Sequence, residues 1–102
     1  MTSVTWDDEA RCELNCSALR YAKVAGADIA HRFVTNVEAA IAHARVSPEQ
    51  FRVFSGRARK VRVDRFPYAV IYWFEKESQS IHVVAIANLH RQPGYWRERL
   101  ED

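Results

Sequence analysis

The stretch Arg65-Phe66-Pro67-Tyr68-Ala69-Val70-Ile71-Tyr72 is the strongest indication of the fold, because a nearly continuous apolar run directly follows a proline corner. Pro67 has no backbone N–H, so it suits a corner at which the sheet needs no donor. The apolar residues after it predict a mostly buried strand that continues to Phe74. A second distinctive stretch, Leu89-His90-Arg91-Gln92-Pro93-Gly94-Tyr95-Trp96-Arg97-Glu98-Arg99, predicts a last short helix from about Pro93 to Leu100.

The strands on either side of this run are also readable from the sequence. Residues 59–65 alternate, with Val61 and Val63 on one face and charged side chains on the other, which indicates a strand with one buried side. A polar turn follows from Glu75 to Ser80, and Ile81 to Ala87 forms the next apolar strand. Connections this short predict antiparallel neighbours.

Two helices precede the strands. The apolar start Val4-Thr5-Trp6 predicts an edge strand, and the acids of residues 7–9 suit the positive end of a first helix that continues to about Val24. Gly26 separates this helix from a second one, which ends at Ser47-Pro48. The second helix carries a regular apolar stripe that predicts core packing: Ile29, Phe33, Val37, Ile41 and Ala44.

These elements predict an α+β fold, and the 102 residues are enough for one small domain covering 1–102. We expect a short N-terminal strand, then a helical hairpin packed on an antiparallel sheet of about three to four strands, and a short C-terminal helix. The helices then cover one sheet face, and the other face or a sheet end is left for function.

The composition is that of an ordinary globular protein, with 48% hydrophobic, 12% aromatic and 27% charged residues. Residues 1–9 lack a basic region followed by an apolar run, so we expect no signal peptide. No apolar stretch approaches the roughly eighteen residues of a membrane span. We therefore expect a cytoplasmic protein with no membrane partner.

The two cysteines, Cys12 and Cys16, stand one turn apart in the first predicted helix. Helical geometry seldom satisfies disulfide dihedrals, so we expect free thiols. No second Cys/His pair at metal-binding spacing follows, because His31 and His43 lie far apart on another segment. The sequence predicts no metal site and no cofactor.

The small net charge of +2 conceals an asymmetry. Residues 1–50 carry five Lys/Arg against seven Asp/Glu, whereas residues 51–102 carry ten against six. The bases are concentrated in one segment, in which Asp64 is the single acid: Arg52, Arg57, Arg59, Lys60, Arg62 and Arg65. Such a patch favours an acidic peptide or a nucleic acid, although a solvated strand face has the same composition.

The two quoted stretches, with Arg91, Pro93, Trp96 and Arg99 in the second, resemble the RelE/ParE superfamily of toxins from type II toxin–antitoxin modules. One departure is Asn88, where many members have a His. The resemblance implies a hetero-oligomer with a cognate antitoxin, a ParD-like ribbon-helix-helix protein whose acidic C-terminal segment wraps the toxin. We expect that segment to contact four bases of the patch: Arg57, Arg59, Arg62 and Arg65.

The superfamily contains two activities. ParE-like toxins poison DNA gyrase through protein contact, whereas RelE-like toxins are endonucleases that cut messenger RNA on the ribosome. If the chain is a nuclease, the resemblance points to Arg91 and Tyr95, with His90 as a replacement acid or base. Ala69, however, stands where RelE-like nucleases carry a catalytic Arg, and a methyl group cannot stabilise a phosphorane.

We therefore assign no catalytic residue and favour the ParE-like action. The expected target contacts are then Arg91, Arg97 and Arg99. A plain RNA-binding module is a weaker interpretation, because no aromatic residues alternate with the basic strand residues as stacking platforms require.

Overall fold

The computed structural model describes residues 2–100. In chain order the elements are β1 (Ser3–Trp6), α1 (Asp8–Ala25), α2 (Ala27–Val46), β2 (Val53–Ser55), β3 (Ala58–Arg62), β4 (Tyr68–Glu75), β5 (Ser80–Asn88) and a C-terminal 3₁₀ helix (Arg97–Leu100). No helix within residues 2–100 has the length and apolar character needed to cross a membrane.

Capping and glycine chemistry define the helical hairpin. The Asp7 side chain accepts a hydrogen bond of 2.9 Å from the backbone N–H of Glu9, which satisfies one free donor at the start of α1. Asp8 and Glu9 add negative charge at the positive end of the helix. Gly26, with φ of 98°, separates α1 from α2 in a conformation that favours glycine. The two helices therefore fold back against each other.

Both helices pack on one side of the sheet, which we call the helix face. An aromatic cluster lies at its centre: the Phe33 ring centroid is 5.1 Å from that of Tyr21, 5.2 Å from that of Phe66 and 4.8 Å from that of Tyr68. The apolar stripe predicted for the second helix is confirmed. Its members Phe33, Val37, Ile41 and Ala44 are buried and Ile29 is partly buried.

The sheet has five strands in the order β1-β5-β4-β3-β2. β5, β4, β3 and β2 pair antiparallel with their neighbours, whereas β1 pairs parallel with β5. The α+β class, the N-terminal strand and the helical hairpin on a mostly antiparallel sheet are confirmed.

The expected N-terminal strand is β1, and the expected antiparallel sheet of about three to four strands is formed by the four strands β2 to β5. β2 has three residues, too few for an alternating pattern to be visible in the sequence. The parallel direction of β1 was also not predicted, because no hairpin turn joins β1 to β5 and the sequence alone does not fix their relative direction.

The C-terminal helix is shorter than the predicted span from Pro93 to Leu100. Only Arg97–Leu100 is helical, as a 3₁₀ turn, and the residues before it form turns around Gly94, whose φ is 79°. The segment packs on the sheet side opposite the helices, which we call the second face. Trp96 there contacts a buried cluster that includes Ala58, Ile71 and Ala85.

A β-bulge in β5 lies next to the candidate site. Ile71 pairs with Ala85 and Tyr72 pairs with Val83, so Val84 is an extra residue in β5. The parallel strand β1 pairs with β5 only as far as Val83. Beyond that point the outer edge of β5 needs other partners for its backbone groups.

Candidate functional site

A largely buried carboxylate on α1, that of Glu13, meets this edge. Glu13 lies three residues after Ala10 and four before Ser17, both of which are buried, so the helical repeat turns it toward the sheet. Its side chain is 15% exposed. A carboxylate this buried requires compensating donors.

Four donors reach Glu13. The Tyr95 hydroxyl donates to Oε2 at 2.7 Å, and the backbone N–H of Ile86 donates to Oε1 at 3.0 Å. Arg99 donates from Nη1 to Oε1 and from Nη2 to Oε2, both at 3.1 Å. Arg99 Nη1 also donates to the Val84 carbonyl at 3.1 Å. We call Glu13, Tyr95 and Arg99 the Glu13 cluster; it holds the C-terminal segment on the edge of β5.

Arg91 lies at the exposed side of this cluster. Its guanidinium carbon is 3.7 Å from the centre of the Tyr95 ring, and Nη1 is 3.6 Å from Oε2 of Glu13. The Arg91 side chain is 56% exposed, against 12% for Arg99. Arg91 is therefore the cation of this region that a partner can reach.

The environment of Tyr95 favours the protonated form of its hydroxyl. Burial raises the pKa of Tyr95 well above its ordinary value, and the hydrogen bond to Glu13 and the charge of Glu13 raise it further. Arg91 and Arg99 lower that pKa by less. At neutral pH Tyr95 is therefore protonated, and its hydroxyl donates to Glu13.

A cleft of about 190 Å³ opens beside the cluster on the second face, and we call it the C-terminal cleft. Its floor is formed by Ile71, Ala87 and Trp96, which are buried. Phe54 and Leu89 stand on its walls and are 38% and 39% exposed. The cleft is therefore an apolar depression on a sheet face.

Cations border the C-terminal cleft. Lys60 Nζ lies 5.0 Å from the centre of the Phe54 ring, and Arg91 lies on the side of the Glu13 cluster. The described residues that line the cleft include no Asp or Glu. The local potential therefore favours an anionic partner.

The four bases expected to contact an antitoxin do not form one surface. Arg62 and Arg65 are exposed, and Arg65 Nε lies 3.7 Å from Asp64 Oδ2. Arg59 donates to the carbonyls of residues 49 and 51 at 3.1 and 2.7 Å. The guanidinium carbon of Arg57 lies 3.7 Å from the centre of the Trp73 ring, on the second face. The structure thus keeps Arg62 and Arg65 as accessible bases near the β3–β4 corner, while Arg59 has a structural role.

The three arginines expected to contact the target also lie in two different places. Arg91 and Arg99 meet at Glu13, whereas Arg97 Nε donates to Ser55 Oγ at 3.0 Å near β2. His90 is exposed in the turn after β5, where its backbone N–H donates to Asn88 Oδ1 at 2.8 Å. Within residues 2–100, no hydrogen bond joins the imidazole of His90 to Arg91 or Tyr95.

The position of Ala69 also bears on the chemistry. Ala69 is fully buried on the second face and pairs with Ala87 on β5 and Arg62 on β3. Its methyl group places no charge in the floor of this face.

Glu13 was not among the residues predicted from the sequence. The signal was present, because an acid at position 13 interrupts the buried side of α1 between Ala10 and Ser17. A charge on a buried helix face indicates a specific partner.

The two cysteines, Cys12 and Cys16, are free and exposed. Across residues 2–100, no three His, Cys, Asp or Glu side chains come together as a metal site.

No protein-family model and no curated protein sequence matches the chain. Solved structures, in contrast, do match the chain. A chain of the chromosomal ParDE toxin–antitoxin system from P. aeruginosa is similar with a TM-score of 0.77 and 17% identity, over 88% of this chain and 98% of that chain. The isolated E. coli RelE toxin is similar with a TM-score of 0.62 and 14% identity, over 96% and 95%. The chain therefore has the RelE/ParE toxin fold.

Proposed function

We propose that the chain is the toxin component of a type II toxin–antitoxin module, neutralised by a cognate antitoxin, and that it acts in a ParE-like manner on DNA gyrase by protein contact in the cytoplasm. The higher TM-score with the ParDE chain than with RelE supports the ParE-like choice. The observation that carries the choice is the Glu13 cluster, because it occupies the groups that a nuclease needs free.

RNA cleavage by attack of a 2′-hydroxyl requires a base, an acid and cations that stabilise the extra phosphate charge. The Tyr95 hydroxyl donates its hydrogen bond to Glu13, and Arg99, whose side chain is only 12% exposed, makes a two-point contact with the same carboxylate. Ala69 supplies no cation. Arg91 and the separately placed His90 remain, which is an incomplete set.

A binding poison needs a different property, which is a rigid surface. A partner binds more tightly when the surface it meets is already ordered, because less conformational entropy is lost. The Glu13 cluster holds the C-terminal segment on β5, and Trp96 packs it on the second face. The segment that carries Arg91 and Arg97 is therefore presented in one arrangement.

The antitoxin contact that we propose uses a different edge. β2 pairs with β3 only at Ala58 and Arg59, so within residues 2–100 no strand pairs with the outer edge of β3 beyond Arg59. An extended peptide adds to such an edge through its backbone. Arg62 and Arg65 lie next to it and favour acids in that peptide, as a ParD-like C-terminal segment carries. The assembly is then a hetero-oligomer.

One observation favours the alternative, a RelE-like ribosome-dependent mRNA endonuclease with the ribosome and mRNA as partners. Arg91 is accessible and stacks on Tyr95 at 3.7 Å, which places a cation beside a phenol as the resemblance to RelE implies. This pair alone lacks a free base. We therefore keep it as the second candidate.

Metabolic labelling in cells that express the chain tests the proposal. A gyrase poison stops thymidine incorporation into DNA before it affects methionine incorporation into protein, and co-expression of the neighbouring antitoxin restores growth. An immediate stop of protein synthesis with continuing DNA synthesis would support the endonuclease. Unimpaired growth at high expression would contradict both activities.

A further inference from the structure

The C-terminal cleft combines three properties that the fold itself does not require. Its floor is apolar and buried, its walls expose large apolar side chains, and its borders are cationic. Phe54 and Leu89 belong to the exposed large apolar residues of the described chain, and both line this one depression. Exposed apolar surface rimmed by polar groups marks interaction sites.

The size of the cleft limits what it accommodates. An apolar cavity of about 150 Å³ is large enough for a benzene ring. The C-terminal cleft, at about 190 Å³, therefore has room for one large apolar side chain and not for a folded element. Interface hot spots have this form, with one anchor side chain in a desolvated pocket.

We propose that the C-terminal cleft is the anchor pocket for the target protein, and that it receives one large apolar side chain from a target segment that also carries acidic residues. The inference rests on the proposed function and adds the chemistry of its target contact. Lys60 and Arg91 bind the acids at the border of the cleft, while Ile71, Ala87 and Trp96 contact the anchor side chain.

The chemistry of the floor favours a protein segment over RNA. A nucleotide phosphate at the floor would meet the methyl groups of Ile71 and Ala87, and the bordering cations stand at the rim. Trp96 is only 4% exposed and its ring packs edge-on with Phe54 at 5.5 Å between centroids, so little of its ring is open for stacking on a base. An apolar side chain with flanking carboxylates satisfies both the floor and the rim.

Variants at the cleft test this proposal with purified DNA gyrase as the probe. Phe54→Ser and Leu89→Ser remove the walls, and Ala87→Leu fills the cleft from its floor. Val46→Ser is the matched control, because Val46 is 80% exposed at the end of α2 and outside the cleft. Each protein is measured for gyrase affinity, growth arrest, thermal stability and antitoxin affinity, and for binding to a labelled single-stranded RNA.

We expect the three cleft variants to lose gyrase affinity by about tenfold or more, with a parallel loss of growth arrest. Leu89→Ser and the control should keep the melting temperature and antitoxin affinity of the parent. If the parent binds gyrase and the cleft variants bind it equally well, the anchor pocket is wrong and the proposed function stands. If the parent does not bind gyrase, the proposed function fails and the anchor pocket fails with it. RNA binding by the parent that disappears in the cleft variants would assign the cleft to nucleic acid and overturn the proposal.

Discussion

Glu13 closes a sheet edge and fixes a chain segment with a single carboxylate. It accepts from the Ile86 N–H where β1 no longer pairs, and Arg99 donates to the Val84 carbonyl at the same edge. Unpaired strand edges invite pairing with other chains. This edge is therefore closed to strand addition, whereas the outer edge of β3 stays open beyond β2.

Removing this carboxylate should destabilise the protein. Glu13→Ala removes the acceptor of the Tyr95 hydroxyl and of the Ile86 N–H and the two-point contact of Arg99, which keeps only the Val84 carbonyl and Glu9. The cost should be about 3 kcal/mol in the free energy of unfolding. Glu38→Ala is the control, since Glu38 is an exposed acid on α2 and its loss should change that free energy by less than about 0.5 kcal/mol. Urea denaturation of both variants measures the difference, and equal midpoints would contradict the role given to Glu13.

Tyrosine ionisation provides a second test at this scale. Burial raises the pKa of Tyr72 from 10.0 to about 12, against a smaller opposite effect of Arg59. Because the folded pKa is the higher one, the stabilisation is complete below pH 10 and is lost as the pH rises toward 12. Unfolding free energy should therefore fall across this interval in the parent and fall less in Tyr72→Phe. A parent stability that stays constant from pH 10 to 12 would show that Tyr72 ionises normally.

Among the elements, the packing of α2 on the helix face should dominate stability. Phe33 is fully buried and contacts the rings of Tyr21, Phe66 and Tyr68. Phe33→Ala should cost about 3 to 5 kcal/mol through lost burial and cavity formation. Val24→Ala, at a 77% exposed position on α1, should cost much less. Thermal melts compare the two, and a Phe33→Ala protein that melts like the parent would contradict this packing.

The elements with strong periodicity were predictable from the sequence. The stripe on α2 and the alternation around Val61 and Val63 identified the buried sides correctly, because core burial sets those periods. Asp7 and Gly26 marked the start and end of α1 through capping and backbone chemistry.

The remaining features depend on long-range pairing, which leaves little trace in a local pattern. β2 is too short to show a period, the direction of β1 is set by β5 far along the chain, and Val84 is a bulge residue. The Glu13 cluster joins residues more than eighty positions apart. The sequence thus suggested Arg91, Tyr95 and Arg99 as site residues but not the carboxylate that brings them together.

At the scale of the whole molecule, we distinguish two neighbouring basic regions, which approach each other along β3 at Lys60 and Arg62. Arg62 and Arg65 lie near the open edge of β3, and Arg91 lies by the C-terminal cleft. In our proposal the antitoxin uses the first region and the target uses the cleft. An antitoxin that neutralises the toxin must then also restrict access to the second face as its segment wraps the domain.

Salt should weaken antitoxin binding, because added ions screen the attraction between exposed charges. The screening length is about 8 Å at physiological ionic strength and shortens as the salt concentration rises. Arg62→Ala and Arg65→Ala should lower the affinity and reduce its salt dependence. Arg32→Ala, at an exposed base on α2, is the control and should change neither. Titration calorimetry at low and high salt measures this, and an affinity of the parent that does not depend on salt would leave apolar contact as the main contribution.

If the protein acts by contact with gyrase and not by RNA chemistry, one paired assay distinguishes the two activities. The purified protein is incubated with DNA gyrase and DNA, and separately with ribosomes translating a messenger RNA, using the parent and Tyr95→Phe. We predict gyrase-dependent DNA cleavage by the parent, its retention in Tyr95→Phe, and intact messenger RNA in both cases. Ribosome-dependent cleavage of the RNA by the parent that disappears in Tyr95→Phe, with no effect on gyrase, would contradict action by contact with gyrase.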